Sequence, residues 1–215
     1  MSSRTIILAR HGNTFAAGEV PVWVGANQDL ALVESGRDQA LAVAKELRHR
    51  DQIPVQIICG PLKRTHEFAR IISSELSLPQ VPLVDHRLNE IDFGVWSGKT
   101  NEEISALYGH EILMNWDKRG MWPHHAGWVT QYPEFVAQVH DLVREIIWSK
   151  SSDGPVLFVT SNGRLRYFLS LVHSAFHERA SNGTLKVKTG ALSELNWNGK
   201  EFEIVNWNIS PSLNI

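Results

Sequence analysis

The tripeptide Arg10-His11-Gly12 follows the apolar run Ile6-Ile7-Leu8-Ala9 and sets a guanidinium beside an imidazole where a short strand would end. Near neutral pH an imidazole is both nucleophile and base. A guanidinium presents a rigid fork of donors matched to phosphate oxygens, and glycine lets the backbone approach a ligand. Two further segments carry residues of the same kind. Gly60-Pro61-Leu62-Lys63-Arg64-Thr65 follows the apolar stretch 55–58, and Ser161-Asn162-Gly163 follows the stretch 156–160. The chemistry they share is the handling of a phosphate group.

Positioning these residues requires strands that end together. The pattern predicts strands over 5–9, 55–58 and 156–160, separated by amphipathic helices. Ser35 is placed to cap the first helix, with Asp38 three residues on and Ala40, Val43, Ala44 and Leu47 on one face. The second helix spans 62–76 with Phe68, Ala69, Ile72 and Leu76 inward, and a third spans 163–176. Three late segments, 185–188, 192–197 and 201–207, read as a β meander with a hairpin turn at Asn198-Gly199. Alternating strands and helices imply an α/β fold: a three-layer α/β/α sandwich with a mostly parallel sheet. In such folds ligands collect at the C-terminal ends of the strands, where all three polar segments lie.

A helical insertion is expected at about 99–150, its main helix marked by Phe135, Val139, Leu142, Val143 and Ile146. Ahead of that helix stand Trp116, Trp122 and Trp128, with Pro123, His124 and His125 between them. The tryptophans read either as a lid over the pocket or as the satellite core of the insertion. No repeat, low-complexity tract or linker divides the chain, so residues 1–215 are expected to form one domain.

Composition narrows the partners. Twenty-one basic and 23 acidic residues leave the chain near neutral, which argues against a nucleic-acid binder relying on bulk charge. No segment approaches the roughly 18 apolar residues of a membrane span. The start, Met1-Ser2-Ser3-Arg4, lacks a signal-peptide core, so a cytoplasmic protein is expected. A single cysteine, Cys59, excludes an intramolecular disulfide and a cysteine-based zinc site. His124 and His125 are adjacent, not at the i, i+4 spacing of helical metal ligands, and no metal or other cofactor is expected.

The ordered pieces resemble the histidine phosphatase superfamily, the phosphoglycerate mutase-like fold. The resemblance rests on Leu8 to Thr14, on Gln28 to Leu32 with Gly36 and Gln39-Ala40, and on Pro61 to Thr65. Its most specific block runs from Arg87 to Gly98, Arg-Leu-Asn-Glu-Ile-Asp-Phe-Gly-Val-Trp-Ser-Gly. The resemblance implies in-line attack by His11 on phosphorus and a phosphohistidine intermediate. Arg10 and Arg64 would hold the equatorial oxygens. Glu90 would protonate the leaving oxygen and then deprotonate water. Asn13, Thr14 and Asn162 would add hydrogen bonds.

One departure stands out. The family places a second histidine after the late strand, where this chain has Ser161. A hydroxyl on a short arm replaces a charge-assisted donor, and losing one such contact costs about 3 kcal/mol, roughly a hundredfold in rate. Ser161 is placed either to cap the following helix or to touch the ligand. His86, His173, His177, His124 and His125 are the other histidines that could fill the gap, and the two in the insertion are the best placed. Two functions follow. One is a phosphomonoester hydrolase working on a phosphorylated small molecule, or on a phosphoprotein. The other is a weakened relative that binds a phosphorylated ligand or a partner protein. Substrate and oligomeric state are not legible.

Overall fold

The computed structural model describes residues 3–149 and 154–213; Met1 and Ser2 of the expected start, and Lys150 of the expected insertion, lie outside them. Strands β1 (Arg4–Arg10), β2 (Gln56–Cys59), β3 (Leu83–Val84), β4 (Val156–Thr160), β5 (Leu192–Trp197) and β6 (Phe202–Ile209) form one sheet. Their order is β3-β2-β4-β1-β5-β6. The contacts β3–β2, β2–β4 and β4–β1 are parallel, whereas β5 pairs antiparallel with β1 and with β6. The mostly parallel sheet predicted from the sequence is therefore present. Strands β2, β4 and β1, which end in the three polar segments, are neighbours.

Successive residues of a strand point to opposite faces, and both faces are buried here. Ile7, Ala9, Leu157 and Val159 pack against Ala40, Val43, Leu47, Phe68 and Ile72 of α1 (Glu34–His49) and α2 (Lys63–Glu75). Ile6, Leu8, Val156 and Phe158 face the other way, toward Phe135, Val139, Leu142 and Phe168. Helices α3 (Asn101–Tyr108), α4 (His110–Arg119), α5 (Tyr132–Trp148), α6 (Asn162–Leu165) and α7 (Ala175–Ser181) complete that layer. The continuous apolar runs of β1 and β4 are what a strand covered on both faces requires.

Three local expectations are corrected. Ser35 does not cap α1: Val33 stands at the cap position with no side-chain bond, and Ser35 lies inside the helix. Its hydroxyl instead accepts from Asn13 Nδ2 at 3.2 Å. The expected helix 163–176 is broken into α6, a 3-10 stretch over Arg166–Leu171, and α7. Residues 163–169 are all buried, so this segment has no solvent face and no amphipathic period to keep a regular helix. The stretch 185–188 forms no strand. Side chains replace a neighbouring strand there: Arg10 Nη1 donates to Val187 O, while Val187 N and Lys188 N donate to Asn162 Oδ1 and Asn208 Oδ1.

Trp116 and Trp128 are buried, and Trp116, Trp122 and Trp128 meet edge to face with centroids 4.8–5.8 Å apart. Phe93 and Trp96 join the same cluster through Trp128. The core reading of these tryptophans holds, and Trp116 also reaches the pocket described next.

Candidate active site

A pocket of about 410 Å³ opens at the C-terminal ends of β1, β2 and β4. Arg10, His11, Asn13, Thr14, Arg64, Glu90, Asn162 and Gly163 all line it. The loop leaving β1 is held backbone to backbone against α1: a Cβ on Gly12 would lie 2.3 Å from Gly36 O. His11 N donates to Thr160 O at 3.0 Å, which fixes the ends of β1 and β4 together.

The partners of His11 define its tautomer. Nδ1 lies 2.8 Å from Gly12 O, which can only accept, so Nδ1 carries the proton. Arg64 Nε donates to Nε2 at 3.2 Å, so Nε2 bears the lone pair. Burial, followed by the charges of Arg64 and Arg10, pushes the imidazole pKa well below its ordinary value against the opposing pull of the Gly12 carbonyl. The ring is thus neutral, with its Nε2 lone pair toward the Arg64 guanidinium.

Arg64, at the start of α2, is 2% exposed. Its Nη1 and Nη2 donate to Gln28 O and Gly25 O at 2.9 and 2.7 Å, which anchors the fork. Arg10 is held through Nη1 on Val187 O at 2.6 Å, while its buried Nε has no partner. Burial lowers the Arg10 pKa to about 10, with the charge of Arg166 adding to the effect and that of Glu90 opposing it. At neutral pH it remains a cation.

Glu90 sits on the loop after Leu88, and β4 and α6 hold that loop. Thr160 Oγ1 donates to Leu88 O at 2.7 Å, and Arg164 Nε to Asn89 O at 3.1 Å. The carboxylate accepts from Ile91 N at 2.8 Å and from Gly163 N at 3.0 Å. A Cβ on Gly163 would lie 2.2 Å from Glu90 Oε1, so a larger residue there would push the carboxylate aside. Arg87 is no partner of Glu90; its guanidinium pairs with Asp85 and Glu145 instead.

Ser161 does not fill the capping role expected of it. Its backbone is at the cap position of α6, yet the side chain makes no cap bond. The hydroxyl is buried without a partner, and the residue does not line the pocket. Asn162 lines the pocket, with its carbonyl oxygen committed to Val187 N at 2.9 Å. Asn13 ties three segments together: its Nδ2 donates to Ser35, its Oδ1 accepts from Thr189 Oγ1, and its backbone N donates to Gln39.

No second imidazole compensates. His86, His124, His125, His173 and His177 are exposed and none lines the pocket. Among the described residues, no cluster of three or more His, Cys, Asp or Glu is placed to hold a metal ion. Cys59 is buried, and burial pushes its thiol up to about 12, which leaves it unreactive. No helix among the described residues is long and apolar enough to cross a membrane.

Sequence reasoning missed the outer wall. Phe15, Val22, Trp23 and Phe93 give it an apolar side, and Asn101, Asp117, Lys186 and Thr189 a polar one. The run Pro21-Val22-Trp23-Val24 is the one signal that could have shown it, being apolar yet outside any helix or strand. Arg166 was also missed. It is fully buried, donates to Trp116 O at 2.9 Å and stacks 4.3 Å over the Trp116 ring, while its Nε and Nη2 are unpartnered.

Comparison with known proteins agrees with this geometry. The family model of the histidine phosphatase superfamily (branch 1) matches residues 6–210. Glucosyl-3-phosphoglycerate phosphatase of Mycobacterium tuberculosis (strain ATCC 25618 / H37Rv) is 30% identical over 170 residues, covering 76% of this chain and 72% of the relative. Phosphoserine phosphatase 1 of Hydrogenobacter thermophilus is 35% identical over 112 residues, covering 50% of this chain and 48% of the relative. The native structure of the mycobacterial glucosyl-3-phosphoglycerate phosphatase superposes with a TM-score of 0.80 at 25% identity, covering 96% of this chain and 99% of that one. The chain belongs to the histidine phosphatase superfamily, and within it is a phosphatase.

Proposed function

We propose that the chain hydrolyses a phosphomonoester through a phosphohistidine on His11, with Glu90 as general acid and then general base. The observation that carries this reading is the His11 tautomer, with Nδ1–H on Gly12 O and the Nε2 lone pair facing Arg64. Nε2 attacks phosphorus in line, the phosphorus–oxygen bond to the leaving group breaks, and protonated Glu90 delivers its proton to that oxygen. The phosphorylated ring gains positive charge, which the Nδ1–H bond to the Gly12 carbonyl disperses. Glu90, now a carboxylate, takes a proton from water. The hydroxide formed attacks phosphorus, the bond to Nε2 breaks, and inorganic phosphate leaves with the residues restored.

Arg10 and Arg64 hold the equatorial oxygens through both steps. On phosphate binding the Arg64 N–H that now rests on Nε2 passes to a phosphate oxygen and frees the lone pair. Asn162 contributes its amide N–H. We propose that the chain works as one domain whose helices within 99–150 cover the pocket. The substrate is a small phosphorylated molecule, and glucosyl-3-phosphoglycerate is the first to offer, because relatives are named for it.

A second reading, phosphate binding without turnover, is favoured by one observation, the buried and unpartnered Ser161 hydroxyl where the family has an imidazole. Hydrolysis of p-nitrophenyl phosphate and calorimetry with inorganic phosphate separate the two. Turnover that vanishes in His11→Ala, with phosphate binding retained, supports the hydrolase. Phosphate binding with no turnover in the native chain supports the binder, and undiminished turnover in His11→Ala refutes the nucleophile.

A further inference from the structure

Two buried arginines follow the pocket residues Asn162 and Gly163, and their partners differ. Arg164 and Arg166 are 2% and 0% exposed. Arg164 spends all three guanidinium nitrogens, on Asn89 O, Phe135 O and Gln138 Oε1. It thereby ties α6 to the Glu90 loop and to α5. Arg166 spends one: Nη1 donates to Trp116 O, while Nε and Nη2 are buried without a partner. Trp116 O also accepts from Gly120 N at 3.1 Å, so this carbonyl is satisfied without Arg166. None of the Arg166 nitrogens meets a carboxylate. A guanidinium stays protonated in proteins, and burying one without an ion partner is costly.

The surroundings of Arg166 lead to the phosphate pocket. It stands three residues after Gly163 and four after Asn162, both in the pocket wall. That spacing puts it on their side of the helical turn, and side chains of a helix lean toward its N-terminus. Its guanidinium lies 4.3 Å over the ring of Trp116, another wall residue. Burial lowers its pKa, and the charges of Asp117 and Glu90, two more wall residues, oppose that effect along with Tyr167. Its own charge is felt by Arg10. Arg166 does not itself line the pocket, so its charge stands behind the wall. In a protein interior a charge acts more strongly across such a gap than it would in water.

We propose that Arg166 is a positioning residue of the phosphate pocket, a third guanidinium whose unpaired charge draws the phosphoryl group into the grip of Arg10 and Arg64 without touching it. This role rests on the hydrolase reading above and extends its phosphate site. The bound phosphoryl group is the counter-charge that Arg166 lacks. The free chain therefore bears an electrostatic cost that phosphate relieves.

The test is calorimetry with inorganic phosphate, together with thermal melting of the free protein, on the native chain, Arg166→Met and Arg166→Lys. Methionine removes the charge but can still lie on the Trp116 ring, whereas lysine keeps a cation. Phosphate affinity should fall about tenfold or more in Arg166→Met and stay within about threefold of native in Arg166→Lys. Without phosphate, Arg166→Met should melt no lower than the native chain, because an unpaired buried ion has been removed. The kcat/KM for p-nitrophenyl phosphate should follow the same order as the affinities. Calorimetry needs no turnover, so a chain that hydrolyses nothing still reports on Arg166, and His11→Ala tests the nucleophile separately. Undiminished phosphate affinity in Arg166→Met, or equal losses in the methionine and lysine variants, would overturn the proposal. So would a free Arg166→Met that melts well below the native chain, since that would make Arg166 a packing residue.

Discussion

The ends of β1 and β4 are adjacent, joined by parallel pairing of Arg10 with Thr160 and by the His11 N–Thr160 O bond, yet they are equipped differently. The β1 end presents an imidazole whose two ring nitrogens both have partners that set its tautomer and orientation. The β4 end presents a serine whose buried hydroxyl makes no hydrogen bond, and the Gly163 N–H beyond it is committed to Glu90. The end of β4 and the start of α6 hold the loop of Glu90, the proposed general acid, whereas β1 and α2 carry His11 and Arg64, the proposed nucleophile and phosphate grip. His11 and Glu90 are held by separate contacts.

The largest expected effect on this contrast comes from Gly163→Ala. A methyl 2.2 Å from Glu90 Oε1 must displace the carboxylate, and kcat should fall about 100-fold, the lower range for losing a general acid. The initial formation of phosphoenzyme from an ester with a good leaving group such as p-nitrophenol should fall much less, since that oxygen needs little protonation. Equal losses for good and poor leaving groups would show that Glu90 is not the acid.

Ser161→His is expected to act more gently and in the opposite direction. A restored imidazole would add a charge-assisted contact to the transferring group, raising kcat by about tenfold out of the roughly hundredfold such a contact is worth. Overpacking the buried site will offset part of this, at about 1–3 kcal/mol of stability. A folded variant with no gain would mean that the β4 end no longer addresses the phosphate at all.

The smallest effect is read by titration. Burial and two guanidiniums disfavour protonated His11, so nitrogen NMR should find the ring neutral, with its proton on Nδ1, at and well below pH 6.5. The stability linkage has a definite sign. Below about pH 6.5 the unfolded chain takes up a proton that folded His11 refuses, so this group's contribution falls as pH is lowered through that window. A His11 that titrates at its ordinary value would remove the β1 half of the comparison.

Much of this arrangement is legible in the sequence, for reasons specific to each residue. Strand-end positions follow from the apolar runs before Arg10, Gly60 and Ser161, because a strand buried on both faces must be continuously apolar. Glu90 is reached only through the Arg87–Gly98 block, since no periodicity marks a loop carboxylate. The state of Ser161 is not legible, because a cap needs a particular distance from hydroxyl to backbone, and serine in such a position can make it or miss it. The stretch 185–188 reads as a strand by residue type, yet its backbone partners are the side chains of Arg10, Asn162 and Asn208. Trp23, Asn101, Asp117 and Lys186 come together from four distant segments, which local patterns do not register.

The most direct test of the central claim is a trapped phosphoenzyme. The native chain would be mixed with phosphate-labelled substrate, quenched within milliseconds in base, and mapped by mass spectrometry. The account predicts a base-stable, acid-labile phosphate on His11 Nε2 that forms and decays at the rate of turnover. Steady hydrolysis with no label on His11, or with label on another residue, would contradict it.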